Sequence, residues 1–205
     1  MTEADFPHGP VTDPASVAAK KALRRDVLTA RAALDADALA LTAERLRDHV
    51  LALPQVVAGA CVAAYVSGGS EPGTRPLLDA LRERGVRVLL PVLLPDDDLD
   101  WAEYAGPEAL TEGLRRTLQP ATPALGVDAV ADADVVLVPG VAVSATGHRM
   151  GRGGGSYDRA LARVDGAFVA VLLHPGEVGR RVPVELHDQV VDAAITRDGV
   201  VVLAP

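Results

Sequence analysis

Ala60-Cys-Val-Ala-Ala-Tyr-Val-Ser-Gly-Gly-Ser-Glu-Pro-Gly-Thr-Arg-Pro-Leu-Leu-Asp-Ala-Leu-Arg-Glu-Arg-Gly-Val-Arg-Val-Leu-Leu-Pro-Val92 contains, in order, an apolar run, a turn-rich gap, a helical stripe and a second apolar run. Ala60 to Val66 is nearly continuous in apolar character, as a strand covered on both faces requires. It empties into Ser67 to Gly73, where three glycines and a proline interrupt regular structure. The pattern predicts a helix from about Arg75 to Arg84, stopped by Gly85, and a second buried strand over Val86 to Val92. Strand, helix and strand at this spacing predict a right-handed parallel crossover, and with it an α/β protein.

Upstream, the apolar period predicts one helix from Val17, with Leu23, Val27 and Leu34 on a stripe, and a second after Asp35, with Leu39, Ala43, Leu46 and Val50. Residues 1 to about 16 mix Pro, Gly, Asp and Thr without any apolar period, the composition of a disordered arm. Residues 17–205 then form a single α/β domain, a length suited to one core. Downstream, Leu99-Asp-Trp-Ala-Glu-Tyr104 alternates like an exposed strand, and a short helix is expected near Pro107 to Glu112. Asp134 to Pro139, Ala167 to Leu173 and Gly199 to Leu203 read as strands, and Tyr157 to Val164 as a helix. These elements assemble most simply into a mostly parallel sheet with helices on both faces.

Composition narrows the function. The 205 residues carry 28 Asp and Glu against 20 Lys and Arg, a net charge of -8, which argues against nucleic acid as a partner. An anionic small molecule would need a local cluster of cations and backbone N–H groups. The one cysteine, Cys61, rules out an intramolecular disulfide or a Cys-based zinc cage, and its apolar neighbours mark it as a packing residue. The start, Met-Thr-Glu-Ala-Asp-Phe-Pro7, lacks the basic and apolar segments of a secretory signal, and no window reaches the length of a membrane span. A soluble, cytoplasmic protein without membrane partners is expected.

Between the Asp134 strand and the Tyr157 helix runs Pro139-Gly-Val-Ala-Val-Ser-Ala-Thr-Gly-His-Arg-Met-Gly-Arg-Gly-Gly-Gly-Ser-Tyr-Asp-Arg159. A loop after a strand and before a helix is where open α/β sheets bind ligands. Gly151, Gly153, Gly154 and Gly155 allow close backbone approach, and Arg149 and Arg152 add permanent charge, so the loop reads as a polyphosphate cradle or, more plainly, as a flexible turn. It is no P-loop, since the lysine of that motif is missing, and no dinucleotide fingerprint, since Ser156 stands at the third glycine. A nicotinamide-linked oxidoreductase also needs an acidic residue closing the next strand, which here ends at His174-Pro175.

The segment Gly147 to Arg159 resembles the signature of the 5-formyltetrahydrofolate cyclo-ligases, G-x-R-[LM]-G-x-G-x-G-[YF]-Y-D. Lys20-Lys-Ala-Leu-Arg24 resembles that family's K-x-x-L-R, Ser70-Glu-Pro-Gly-Thr74 its substrate-loop E-x-x-T, and Glu185-Leu-His-Asp188 its segment with a second metal-binding aspartate. The resemblance spans about residues 17 to 203. It implies a three-layer fold similar to the ribose-5-phosphate isomerase and CoA-transferase type. It also implies an ATP- and Mg2+-dependent conversion of 5-formyltetrahydrofolate to 5,10-methenyltetrahydrofolate, by phosphorylation of the formyl oxygen and ring closure by N10. The partners are then a reduced folate and ATP, and the chain a monomer or weak homodimer.

Residue roles follow from the same resemblance. Lys20, Arg24, Arg149, the four loop glycines and Tyr157 would bind ATP. Without the resemblance, Lys20 and Arg24, one helical turn apart, would read as a solvated basic face. Asp158 and Asp188 would hold Mg2+, a hard cation that takes one or two carboxylates beside phosphate and water. From spacing alone, the two only favour a helix start and a turn. Val66, Glu71 and Arg152 would contact the folate, Tyr65 would extend that wall, and Arg152 and Tyr157 would take part in the chemistry. On residue grounds alone Glu71 is equally an exposed turn residue. Trp101 reads as a packing residue or a cover for a flat ring, and neither His174 nor His187 is given a catalytic role. Val143, Ser144, Ser156 and Gln119 depart from the family's usual Phe, Asp, aromatic and Glu. Ser144 and Ser156 leave open a second reading, a relative that binds nucleotide without the ligase chemistry.

Overall fold

The computed structural model describes residues 14–185 and 188–204. The arm expected over residues 1 to 16 therefore lies largely outside the described residues, as does His187. Helix α1 (Pro14–Ala32) is followed by α2 (Ala36–Leu51). Leu34, expected on the stripe of the first helix, sits in the connection between them. Asp35 caps α2, its carboxylate accepting a hydrogen bond from the Ala38 amide at 2.8 Å, which satisfies one of the donors a helix start leaves unpaired. Ala43, Leu46 and Val50 are buried along one face, as their spacing predicts.

The quoted stretch folds as β1 (Cys61–Ala63), α3 (Arg75–Glu83) and β2 (Arg87–Leu93), with β1 and β2 parallel neighbours. Gly85, at φ +77, lets the chain leave α3 in a left-handed turn that a Cβ would disfavour. Then come β3 (Leu99–Glu103), a hairpin of β4 (Leu110–Glu112) and β5 (Leu118–Pro120), β6 (Val135–Pro139), and a second hairpin of β7 (Ala142–Val143) and β8 (Arg149–Met150). Helix α4 (Ser156–Leu161), β9 (Phe168–Leu172), β10 (Ala193–Thr196) and β11 (Gly199–Val202) complete the chain.

Seven strands form one sheet in the order β11, β10, β9, β6, β1, β2, β3, parallel throughout except at its two edges. Alternate residues point to opposite faces, so the apolar runs cover both. Val62, Leu90, Leu137 and Ile195 pack with Leu46 of α2 and Leu77 and Leu81 of α3. Ala63, Leu89, Val136 and Val171 pack on the other side with Ala160 and Leu161 of α4 and Val130 of a 3-10 turn. The result is the three-layer α/β arrangement. Helix α1 lies apart from the sheet, its Val27 packed with Ala142 and Met150 of the second hairpin.

Two expectations are corrected. Leu99 to Tyr104 forms an edge strand that is not exposed: Trp101 and Ala102 are fully buried, because the segment after β5 crosses over β3, its Leu125 amide donating to the Trp101 carbonyl at 2.8 Å. Trp101 is thus a core residue. The helix near Pro107 is a single 3-10 turn, Pro107–Ala109, leading straight into β4. Strand β10, Ala193-Ala-Ile-Thr196, is not among the expected strands. None of the described helices is long and apolar enough to cross a membrane.

Candidate active site at the carboxyl edge of the sheet

From β1 the chain moves one way across the sheet, to β2 and β3, and later returns on the other side of β1 with β6, β9 and β10. The loops after β1 and β6 therefore leave the same edge in diverging directions and open a crevice between them, as switch points of parallel sheets do. A cavity of about 870 Å3 lies there, with Tyr65 and Val66 beyond β1, Pro139 and Gly140 at the end of β6, and Pro91 and Leu93 of β2 on its walls.

Every residue given an ATP, folate or metal role by the resemblance lines this one cavity. Lys20 and Arg24 reach it from α1, Val66 and Glu71 from the loop after β1, Arg149 from β8, Gly151 to Gly155 and Arg152 from the glycine loop, Tyr157 and Asp158 from α4, and Asp188 from the later loop. The i, i+4 spacing of Lys20 and Arg24 explains why both face the same way.

Cations and carboxylates meet in pairs around the cavity. Arg149 Nη2 donates to Asp158 Oδ1 at 2.7 Å, Lys20 Nζ lies 3.2 Å from Asp188 Oδ2 and 3.3 Å from Glu185 Oε1, and Arg152 Nη2 stands 3.2 Å from Glu71 Oε1. Arg24 Nε donates to the Gly151 carbonyl at 3.2 Å and so ties α1 to the glycine loop. Arg149 is buried, and its Nε has no hydrogen-bond partner among the described residues. A buried N–H of a charged group without an acceptor is costly, so this wall favours an anion.

Local structure sets the loop geometry. Gly153, at φ +105, and Gly155, at φ +68, hold backbone conformations that side chains disfavour, and Gly155 in this left-handed state starts α4. Across the cavity, the loop from Ser67 to Thr74 is stapled at its base. The Ser67 amide donates to Thr74 Oγ1 at 2.9 Å, the Thr74 amide to Ser67 Oγ at 3.0 Å, and Thr74 Oγ1 to the Tyr65 carbonyl at 2.6 Å. The threonine of the E-x-x-T pattern thus fixes the loop that presents Glu71, whose Oε2 accepts from the Gly68 amide at 2.9 Å. The buried His174 meets the Ser70 carbonyl through Nε2 at 3.0 Å, which makes that nitrogen the protonated one.

Burial, reinforced by the Glu71 carboxylate and opposed by Arg149, holds the Tyr157 phenol well above its ordinary pKa, so it stays a neutral hydrogen-bonding group at neutral pH. Tyr65 is shifted the same way, first by burial and then by Glu71, and its hydroxyl has no partner among the described residues.

The departures from the family pattern fall in different places. Ser144 Oγ accepts from the Thr146 and His148 amides at 3.2 and 3.1 Å, capping the turn between β7 and β8, a task that serine performs as aspartate does. Val143 is buried in the core. Ser156, by contrast, lines the cavity and leaves it wider than an aromatic ring would. Lys21, Glu185, Arg115 and Leu118 also line it without having been singled out as site residues. Lys21 and Glu185 stand inside the quoted motifs, whereas Arg115 and Leu118 lie in a stretch with no readable period.

Sheet order, crevice and paired charges define a three-layer α/β protein with a switch-point site built for anionic small molecules. The model of the 5-formyltetrahydrofolate cyclo-ligase family matches residues 16–197, and the chain belongs to that family. It is 39% identical over 168 residues to a 5-formyltetrahydrofolate cyclo-ligase of Mycolicibacterium smegmatis, covering 78% of this chain and 85% of that protein. It is 34% identical over 115 residues to the Escherichia coli protein of the same name, covering 55% and 63%. The structure of an Aquifex aeolicus 5,10-methenyltetrahydrofolate synthetase superposes with a TM-score of 0.76 at 26% identity, covering 91% of this chain and 93% of the other. That of a synthetase from Mycoplasma pneumoniae gives 0.68 at 18% identity, covering 87% and 98%.

Proposed function

We propose that this chain is a cytoplasmic enzyme that converts 5-formyltetrahydrofolate and ATP, with Mg2+ as cofactor, to 5,10-methenyltetrahydrofolate, ADP and phosphate. The observation that carries the reading is the set of three cation–carboxylate pairs around one switch-point cavity in a chain of this family. Each pair sets a cation, suited to phosphate, beside a carboxylate, suited to a divalent metal or a substrate N–H. Phosphoryl transfer needs such positioning and charge neutralisation rather than a protein nucleophile.

Lys20, Arg24 and Arg149 hold the ATP phosphates in this reading, and the backbone amides of Gly151, Gly153, Gly154 and Gly155, on the same cavity, add neutral donors. The unpartnered Arg149 Nε is the specific donor that an anion would satisfy. Arg152, largely exposed and flanked by glycine, moves over the formyl oxygen and the transferring phosphoryl group. Glu71, held by its stapled loop, accepts from the pterin, Val66 packs beside it, and the neutral Tyr157 phenol donates to an oxygen at the reacting centre. Asp158 and Asp188 fit Mg2+, since they are two carboxylate oxygen donors on one cavity, and a hard cation takes one or two carboxylates beside phosphate and water. The bound ion would neutralise phosphate charge.

The test is an absorbance assay for the methenyl product with ATP and Mg2+ each present or omitted. Product is expected only when both are supplied. ATP binding by calorimetry without product under any condition would reduce the chain to a nucleotide-binding relative.

A further inference from the structure

The phosphate-directed residues occupy only one end of the cavity. Across the sheet from β6 to β3, its wall changes from the cations Lys20, Arg24 and Arg149, to the Glu71–Arg152 pair beyond β1, and then to the apolar side chains Pro91, Leu93 and Leu99 of β2 and β3. The β4–β5 hairpin, whose β5 packs against β2 and β3, closes this far end with Leu118 and Arg115. Neighbouring strands lie about 4.8 Å apart, so the three spacings from β6 to β3 span roughly 14 Å. A ligand that fills the cavity is therefore anionic at one end, polar in the middle, flat and apolar next, and met by one further cation at its tip.

Arg115 is an unusual residue to find in the hairpin turn. Its φ is +53 and that of Arg116 is +59, left-handed conformations that suit glycine or asparagine. Strain of this kind, kept at a cavity wall by a long charged side chain, points to a use for that side chain. Arg115 pairs with Asp97 through Nη2, yet a guanidinium carries five N–H donors and can hold a second carboxylate on its other edge. Its side chain is 62% exposed, so such a carboxylate can reach it.

We infer that this end of the cavity is a tail subsite, in which Pro91, Leu93, Leu99 and Leu118 take a flat aryl group and Arg115 the carboxylate beyond it. Resting on the folate reading above, the inference places the aminobenzoyl-glutamate part of the substrate across β2 and β3, directed away from the nucleotide. Arg115 is then a specificity residue, acting on affinity for the tail and not on the transferring phosphoryl group.

Two substrates separate these roles, 5-formyltetrahydrofolate and a tail-less 5-formyl-6-(methylaminomethyl)tetrahydropterin, which keeps the N10 nitrogen that closes the ring, with N-(4-aminobenzoyl)-L-glutamate as a direct binding probe. Arg115→Gln should raise KM for the full folate about tenfold, the scale of one lost charged hydrogen bond, while KM for ATP and kcat/KM for the tail-less substrate stay level. Arg115→Lys should recover only part of the loss, because a point charge replaces a bidentate fork. An equal rise on both substrates overturns the subsite, and a rise confined to ATP does so by placing Arg115 with the phosphates. Should wild-type protein turn over neither substrate, the ligase reading fails by itself. Calorimetric binding of the aminobenzoyl probe by wild type, and its loss in a normally melting Arg115→Gln, would still uphold the subsite. Absence of probe binding to wild type would overturn it.

Discussion

Asp158 accepts from the Arg149 guanidinium at 2.7 Å and from the Gln189 amide at 3.4 Å, so its carboxylate is oriented from two sides before any ligand enters. Removing an outer partner of a metal ligand typically weakens metal affinity or activity by about 10- to 100-fold, and loss of the ligand charge itself should do at least as much. Asp158→Asn is accordingly expected to lower turnover by about 100-fold or more at limiting Mg2+, partly relieved at high Mg2+, with an unchanged far-ultraviolet circular dichroism spectrum. Wild-type turnover at limiting Mg2+ would take Asp158 out of the metal site. Sequence reading reached Asp158 through the glycine-loop motif. It did not reach the Arg149 contact, because residues nine apart are brought together only by the path of the loop between β8 and α4.

At the scale of elements, α1 matters most, since it carries Lys20 and Arg24 yet packs outside the main sheet. Arg31, near its end, is almost fully buried and forms a two-pronged ion pair with Glu177 at 2.7 and 2.8 Å, while its Nη2 also donates to the Gly140 carbonyl at 2.7 Å. Glu177 in turn accepts from the His174 amide at 2.9 Å. The pair ties α1 to the end of β6 and to the loop after β9. Breaking one partner of a buried pair leaves the other charge uncompensated, at a cost of about 3–5 kcal/mol. Arg31→Met should show this loss in urea unfolding, and Arg31→Met combined with Glu177→Gln should recover part of it. A single variant within about 0.5 kcal/mol of wild type would show that α1 is held by apolar contacts alone. The helical period places Arg31 on the face of Leu23 and Val27, but an arginine is expected at the surface, so its burial was not legible from the sequence.

For the whole molecule, stability couples to pH through His174. Burial is the main cause that lowers its pKa below the ordinary value of about 6.5, against smaller opposing effects of the Ser70 carbonyl and Glu177. The unfolded chain then binds a proton below about pH 6.5 that the folded protein refuses, so stability rises with pH across that window and is lost as pH falls through it. One such proton contributes a limiting slope of about 1.4 kcal/mol per pH unit. Melting temperatures of wild type and His174→Gln between pH 7.5 and 5 should diverge in slope, the variant being flatter. Parallel profiles would assign the acid sensitivity to other groups. The Ser70 contact matters to the site as well, because it holds the residue next to Glu71.

By itself the sequence determined the α/β class, the parallel crossover of β1 and β2, and the glycine loop. These rest on local signals: apolar runs that only a doubly covered strand accommodates, a glycine at a left-handed stop, and a motif contiguous in the chain. Tertiary structure alone decided that β3 is covered, that Trp101 belongs to the core, that Lys20 and Arg149 each stand beside a carboxylate, and that Arg115 closes the far end of the cavity. Burial of an edge strand and the pairing of charges more than a hundred residues apart, as between Lys20 and Asp188, depend on which loops cross the sheet edge, and no period along the chain encodes that crossing.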